Sequence, residues 1–77
     1  MMIGNFRVVI YSNDHLPAHV HAIGNGNEAV FNLNCPSGPV TLRENYGVSD
    51  KDLARIEDAL NDSLDILCRK WKEIHDK

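Results

Sequence analysis

The chain has 77 residues, 43% of them hydrophobic and 25% charged, and a formal net charge of −3. That length holds one domain with one modest core, and this balance of apolar and charged residues excludes an intrinsically disordered segment. The acidic charge argues against a sequence-independent nucleic-acid binder, which needs a basic face, and no apolar run approaches the roughly 20 residues that span a bilayer.

Met1 to Arg7 has no basic lead followed by an apolar stretch, so it does not read as a signal peptide, and the expected location is cytoplasmic. Residues 6–11 are β-branched or aromatic apart from Arg7 and predict a strand. The loop Asn13-Asp14-His15-Leu16-Pro17 interrupts it, since Pro17 cannot donate to a β-ladder. Residues 19–23 resume the alternation and lead into Gly24-Asn25-Gly26-Asn27. An Asn-Gly centre favours a two-residue type I′ turn, because both residues tolerate positive φ. A return strand over about 28–34 follows.

That turn fixes a register in which His19 faces Asn32, Val20 faces Phe31, His21 faces Val30 and Ala22 faces Ala29. Opposed residues share a face, so Val20, Ala22, Ala29, Phe31 and Leu33 gather on one side. His19, His21, Ile23, Glu28, Val30 and Asn32 gather on the other. A slip of one residue would mix the two sets.

Pro36-Ser37-Gly38-Pro39 predicts a turn, residues 40–42 a short fourth strand, and residues 43–48 a connector. Ser49 with Asp52 three residues on marks a helix start. Leu53, Ile56, Leu60, Leu64, Leu67, Trp71 and Ile74 recur every three or four residues, one face of a long helix over about 50–75. Such a helix would be a rod of roughly 37 Å, longer than a small sheet can cover. The expected fold is therefore α+β, a small antiparallel sheet of three to four strands with one long C-terminal helix on its Val20/Phe31 face. The domain is single and spans residues 1–77.

Cys35 and Cys68 lie far apart in sequence and outside any Cys-x-x-Cys spacing. With a cytoplasmic location they are expected to be reduced, small and buried.

Three of the four histidines and one carboxylate fall between Asp14 and His21. His19 and His21, two apart on a strand, leave one face roughly 6–7 Å apart along it. With His15 or Asp14 folded back, three protein ligands could hold a divalent ion such as zinc, with water in a fourth position. The same side chains could instead act as general acid and base in cleaving a phosphoryl ester, with only Arg7 or Arg43 to hold a phosphate. In a purely structural role, Asp14 would cap a turn and the histidines would bond to backbone or face water. No catalytic residue is assigned. His75 and Trp71 are expected to be structural, Trp71 as a core anchor.

The segment from Tyr11 to Ala22, then Glu28-Ala29 and a C-terminal helix carrying Trp71, closely resembles domain-of-unknown-function family 4160. These are small bacterial proteins built around an Asp-His-x-Pro-Pro-His-Phe-His core. Here Ala18 stands for the usual second proline and Val20 for the usual phenylalanine, while every histidine matches. The resemblance brings no established activity. It implies a setting like that of toxin–antitoxin-associated proteins, often beside a second small protein. The expected function is thus a protein-interaction module with a histidine-rich, metal-binding site at Asp14, His15, His19 and His21. A small metal-dependent or histidine-based nuclease or hydrolase is the alternative. The expected partner is a second copy of the chain or a second small protein, since exposed sheet edges are seldom left unprotected.

Overall fold

The computed structural model describes residues 1–75. Its five strands are β1 (Met2–Ile3), β2 (Phe6–Val9), β3 (His19–Gly24), β4 (Asn27–Asn32) and β5 (Thr41–Tyr46). They lie side by side in chain order in one antiparallel sheet. Two helices follow, α1 (Asp50–Asp62) and α2 (Leu64–His75). Among the described residues no helix is long and apolar enough to cross a membrane.

The central hairpin forms in the expected register, from His19 opposite Asn32 to Gly24 opposite Asn27. Asn25 and Gly26 both take positive φ, +53° and +77°, as a type I′ turn requires. Val20, Ala22, Ala29, Phe31 and Leu33 are all buried and share one cluster with Ile56, Leu60, Leu64, Leu67 and Trp71 from the helices. The fold is α+β with the helices on the Val20/Phe31 face.

The sheet has five strands rather than three or four. The added strand β1 pairs Met2 with Arg7 and Ile3 with Phe6, closed by Gly4 at φ +57°. Strand β2 ends at Val9, short of the expected 11. Strand β4 ends at Asn32, and beyond it the Leu33 N–H donates to the Ala18 carbonyl at 2.9 Å, one pair further in the same register. Residues 43–46, expected as connector, complete β5, while Val40 precedes the strand and is buried in the core. Strand β5 lies at the sheet's edge with all six residues exposed, so water on both faces removes the alternation that would have marked it. A bulge between Val30 and Phe31 in its pairing shifts that alternation further.

The single long helix is also corrected. Ser49 caps α1 as expected, its Oγ accepting the Asp52 N–H at 3.2 Å, but the helix stops at Ser63. Asn61-Asp62-Ser63 supplies three short polar side chains that compete with the helix for backbone groups. The Asn61 side-chain oxygen accepts the Val40 N–H at 2.9 Å, tying the end of α1 to the entrance of β5. Two helices of about 20 Å each replace a rod of roughly 37 Å, and both lie on the sheet.

Nor are the two cysteines reduced. Cys35 and Cys68 form a disulfide with a Cα–Cα distance of 5.9 Å. Cys35 follows the end of β4 and is exposed rather than buried, and the chain's turn there carries it to α2. Closing a loop with 33 residues of separation restricts the unfolded chain by about 3–4 kcal/mol in the chain-entropy account.

Phe31 has no solvent exposure and Leu64 very little. Replacing either by alanine is expected to cost about 2–5 kcal/mol. Urea unfolding checks this, and a midpoint unchanged in both variants would contradict the packing.

Candidate metal centre

Alternation along β3 sends His19 and His21 to the face opposite the helices. His21 stands between Val9 of β2 and Val30 of β4, and His19 opposite Asn32. The loop after β2 then folds back over them. The Asp14 N–H donates to the Tyr11 carbonyl at 3.1 Å, and Asp14 Oδ2 accepts the Tyr11 N–H at 3.1 Å. This reciprocal clamp turns the Asp14 carboxylate toward the two rings.

Asp14 Oδ1 lies 3.4 Å from His19 Nε2, and Asp14 Oδ2 lies 3.4 Å from His21 Nε2. One ligand atom from each of the three residues fits within 4.8 Å of the others. The side chains of His19, His21 and Asp14 keep only 8%, 15% and 13% of their exposure. Tyr11 closes one side, its ring edge-on to His21 at a centroid distance of 4.8 Å.

The other nitrogen of each ring is already engaged. His19 Nδ1 is 2.8 Å from the Pro17 carbonyl, and His21 Nδ1 is 2.8 Å from Glu28 Oε2. A carbonyl and a carboxylate only accept, so both Nδ1 atoms carry the proton. In the neutral rings both Nε2 atoms then present lone pairs toward Asp14. His21 Nε2 is buried and has no hydrogen-bond partner. A lone pair and a carboxylate oxygen at 3.4 Å repel unless a positive charge, a proton or a metal ion, lies between them.

His15 is not part of this cluster. It is exposed and lines a groove on the other side of the loop, toward α2. Glu28 is the site residue absent from the sequence-based set. The hairpin register does contain the signal: Glu28 pairs with Ile23, one diagonal step from His21 on the same face. His75 lies elsewhere, with Nδ1 donating to the Trp71 carbonyl at 2.8 Å and its ring stacked on Trp71. Farther along the open face the Tyr46 hydroxyl donates to Glu44. That hydrogen bond and the Glu44 charge hold the phenol above the usual tyrosine range.

Residues 5–72 match the family model described as Domain of unknown function (DUF4160). No curated protein and no solved structure matches the chain.

The hydrogen bonds fix which nitrogen of each ring is protonated. Long-range ¹⁵N–¹H correlation spectra of metal-free protein above about pH 7.5, where an ordinary imidazole is neutral, are expected to show His19 and His21 as Nδ1–H tautomers. Nε2–H signals from both rings would remove the ligand set.

Proposed function

The chain belongs to the family Domain of unknown function (DUF4160), and we propose that this member is a protein-interaction domain that binds one divalent transition-metal ion, such as zinc, through Asp14, His19 and His21. The carrying observation is that two Nε2 lone pairs, each fixed by a hydrogen bond at Nδ1, converge on one carboxylate. Metal-ligating histidines commonly donate their second nitrogen to a carbonyl or carboxylate in this way. Zinc with bonds of about 2.0–2.1 Å sets tetrahedral ligands about 3.3 Å apart. Each carboxylate oxygen of Asp14 lies 3.4 Å from one ring nitrogen, close to that spacing, and the set of one atom per residue lies within 4.8 Å, so a small closing shift completes the site. The ion would pin the loop carrying Asp14 to the sheet, with a fourth position for water or a partner's side chain.

The surroundings favour a protein partner over the nuclease alternative. Beside the two imidazoles stand the carboxylates of Asp14 and Glu28, and Arg7 faces Ile23 rather than His21. A phosphate backbone would meet these carboxylates before any ring of cations. The open face instead sets half-buried Val9 and Ile23 beside Glu28, Glu44 and Tyr46, with Val30 buried beneath them. On edge strand β5 Tyr46 is exposed on this face, and Leu42, opposite Phe31, is exposed on the other. The proposed partner is a second copy of the chain or a second small protein.

Titration with Zn²⁺ is expected to saturate at one ion per chain and to raise the melting temperature by mass action, about 2.7 kcal/mol of stabilisation at a hundredfold excess over Kd. His19→Ala, His21→Ala and Asp14→Ala should abolish the effect, while His15→Ala and His75→Ala should keep it. Glu28→Gln should weaken affinity by about 10–100-fold. Acidification from about pH 7.5 to about pH 5.5 should weaken binding, because protons compete for the ligating nitrogens. Zinc stabilisation that survives His19→Ala/His21→Ala would place the ion elsewhere.

The assembly is tested separately by light scattering at about 100 µM, a concentration that populates dimers of micromolar Kd. A second copy predicts a dimer there. A monomer at that concentration leaves the second small protein as the partner.

A further inference from the structure

Across the histidine loop from the metal cluster lies a groove of about 870 Å³ between that loop and α2. Leu16, Ala18, Pro36 and Trp71 give it apolar walls. Both halves of the Cys35–Cys68 disulfide line it, Cys35 exposed and Cys68 half-buried. Arg69, Lys72 and His15 also line it, all exposed. Arg69 follows Cys68 in sequence. Lys72 sits one turn beyond it, where helix neighbours have Cβ atoms about 5–6 Å apart. Among the described residues neither Arg69 nor Lys72 forms a salt bridge. The one carboxylate in the lining, Asp14, has its oxygens turned to His19, His21 and the Tyr11 N–H. A chain of net charge −3 thus places two cations beside its disulfide that form no salt bridge among the described residues.

From this we infer a second site: the groove is a thiol–disulfide exchange site for small anionic thiols, with the Cys35–Cys68 bond as the reacting group. Exposed disulfides are the labile ones, and nearby cations stabilise a departing thiolate. Arg69 and Lys72 do both tasks here, drawing in a thiol that carries carboxylates and stabilising the sulfur that leaves. The attacking thiolate approaches the Sγ of Cys35, the more exposed of the two residues. A bond forms between the incoming sulfur and Cys35 Sγ, the Cys35–Cys68 bond breaks, and its electron pair leaves on Cys68 Sγ as a thiolate beside Arg69. This step involves no net oxidation. A second thiol then displaces Cys35, leaving two reduced cysteines and one oxidised thiol dimer. The two electrons come from the two thiols.

Charge selectivity distinguishes this site from a disulfide that is merely accessible. The full oxidised chain is treated with glutathione, a thiol of net negative charge, or with neutral 2-mercaptoethanol. Acid quenching, alkylation and mass measurement then give the reduction rate for each. In Arg69→Glu/Lys72→Glu the ratio of the glutathione rate to the mercaptoethanol rate is expected to fall on the order of tenfold, at the lower end of charge-steering effects. The neutral thiol reports access to the sulfur in the same variant, so a change in folding alone leaves the ratio unmoved. Lys70→Glu changes an exposed cation of α2 outside the groove lining and should leave the ratio unchanged. A ratio unaffected by the double reversal, an equal fall in Lys70→Glu, or a disulfide that neither thiol reduces without denaturant would overturn the assignment.

Discussion

The parity of β3 is the constraint on which the rest depends. Neighbouring residues of a strand point to opposite faces, so one alternation assigns Val20 and Ala22 to the core and His19 and His21 to the open side. The Asn25-Gly26 turn fixes that parity against β4, which brings Phe31 under the helices and Glu28 toward His21. Core and histidine cluster are two readings of one register. A one-residue slip of β3 would bury the imidazoles and turn Val20 outward while Phe31 on β4 stayed inward. The register that packs the core also sets positions 19 and 21 side by side on the open face.

The parts of the fold that the sequence reveals are those where local chemistry and tertiary packing agree. Asn-Gly tolerates positive φ, the hairpin alternates cleanly, and Ser49 with Asp52 opens a helix, so these elements form where they are expected. Where tertiary contacts decide, the sequence says less. The apolar stripe from Leu53 to Ile74 runs unbroken across Ser63, and the break falls at the polar run Asn61-Asp62-Ser63, where Asn61 bonds to Val40, 21 residues away. Strand β5 lies at an edge where both faces meet water, so it leaves little pattern. A compartment rule cannot foresee that the chain brings Cys35 to Cys68. Strand β1 had a local signal, Gly4-Asn5 between Ile3 and Phe6, which is hairpin chemistry in miniature.

The cluster shows the same division. Asp14, His19 and His21 are recognisable as donors, and the structure brings those three together. His15 has the same chemistry and the same neighbourhood in sequence, yet it lies on the groove side. Asp14 is committed to Tyr11 and the rings, and the chain reverses past Pro17 immediately after. Ligand type is a property of the residue, whereas ligand direction belongs to the loop.

The break at Ser63 also bears on how the chain is made. Each helix is 12 or 13 residues long, a length at which an isolated helix in water is marginal. Neither can wait as a preformed rod; each takes shape on the sheet. The sheet is synthesised first, since β5 ends at Tyr46, and the residues that cover its apolar face all come after it. During translation Val20 and Phe31 therefore emerge with nothing to pack on until α1 and α2 follow. The nascent chain carries a bare sheet face, the kind of surface that chaperones hold and that aggregates when they do not. Synthesis stalled between Tyr46 and Leu64 would leave the strands complete and the protein unfinished.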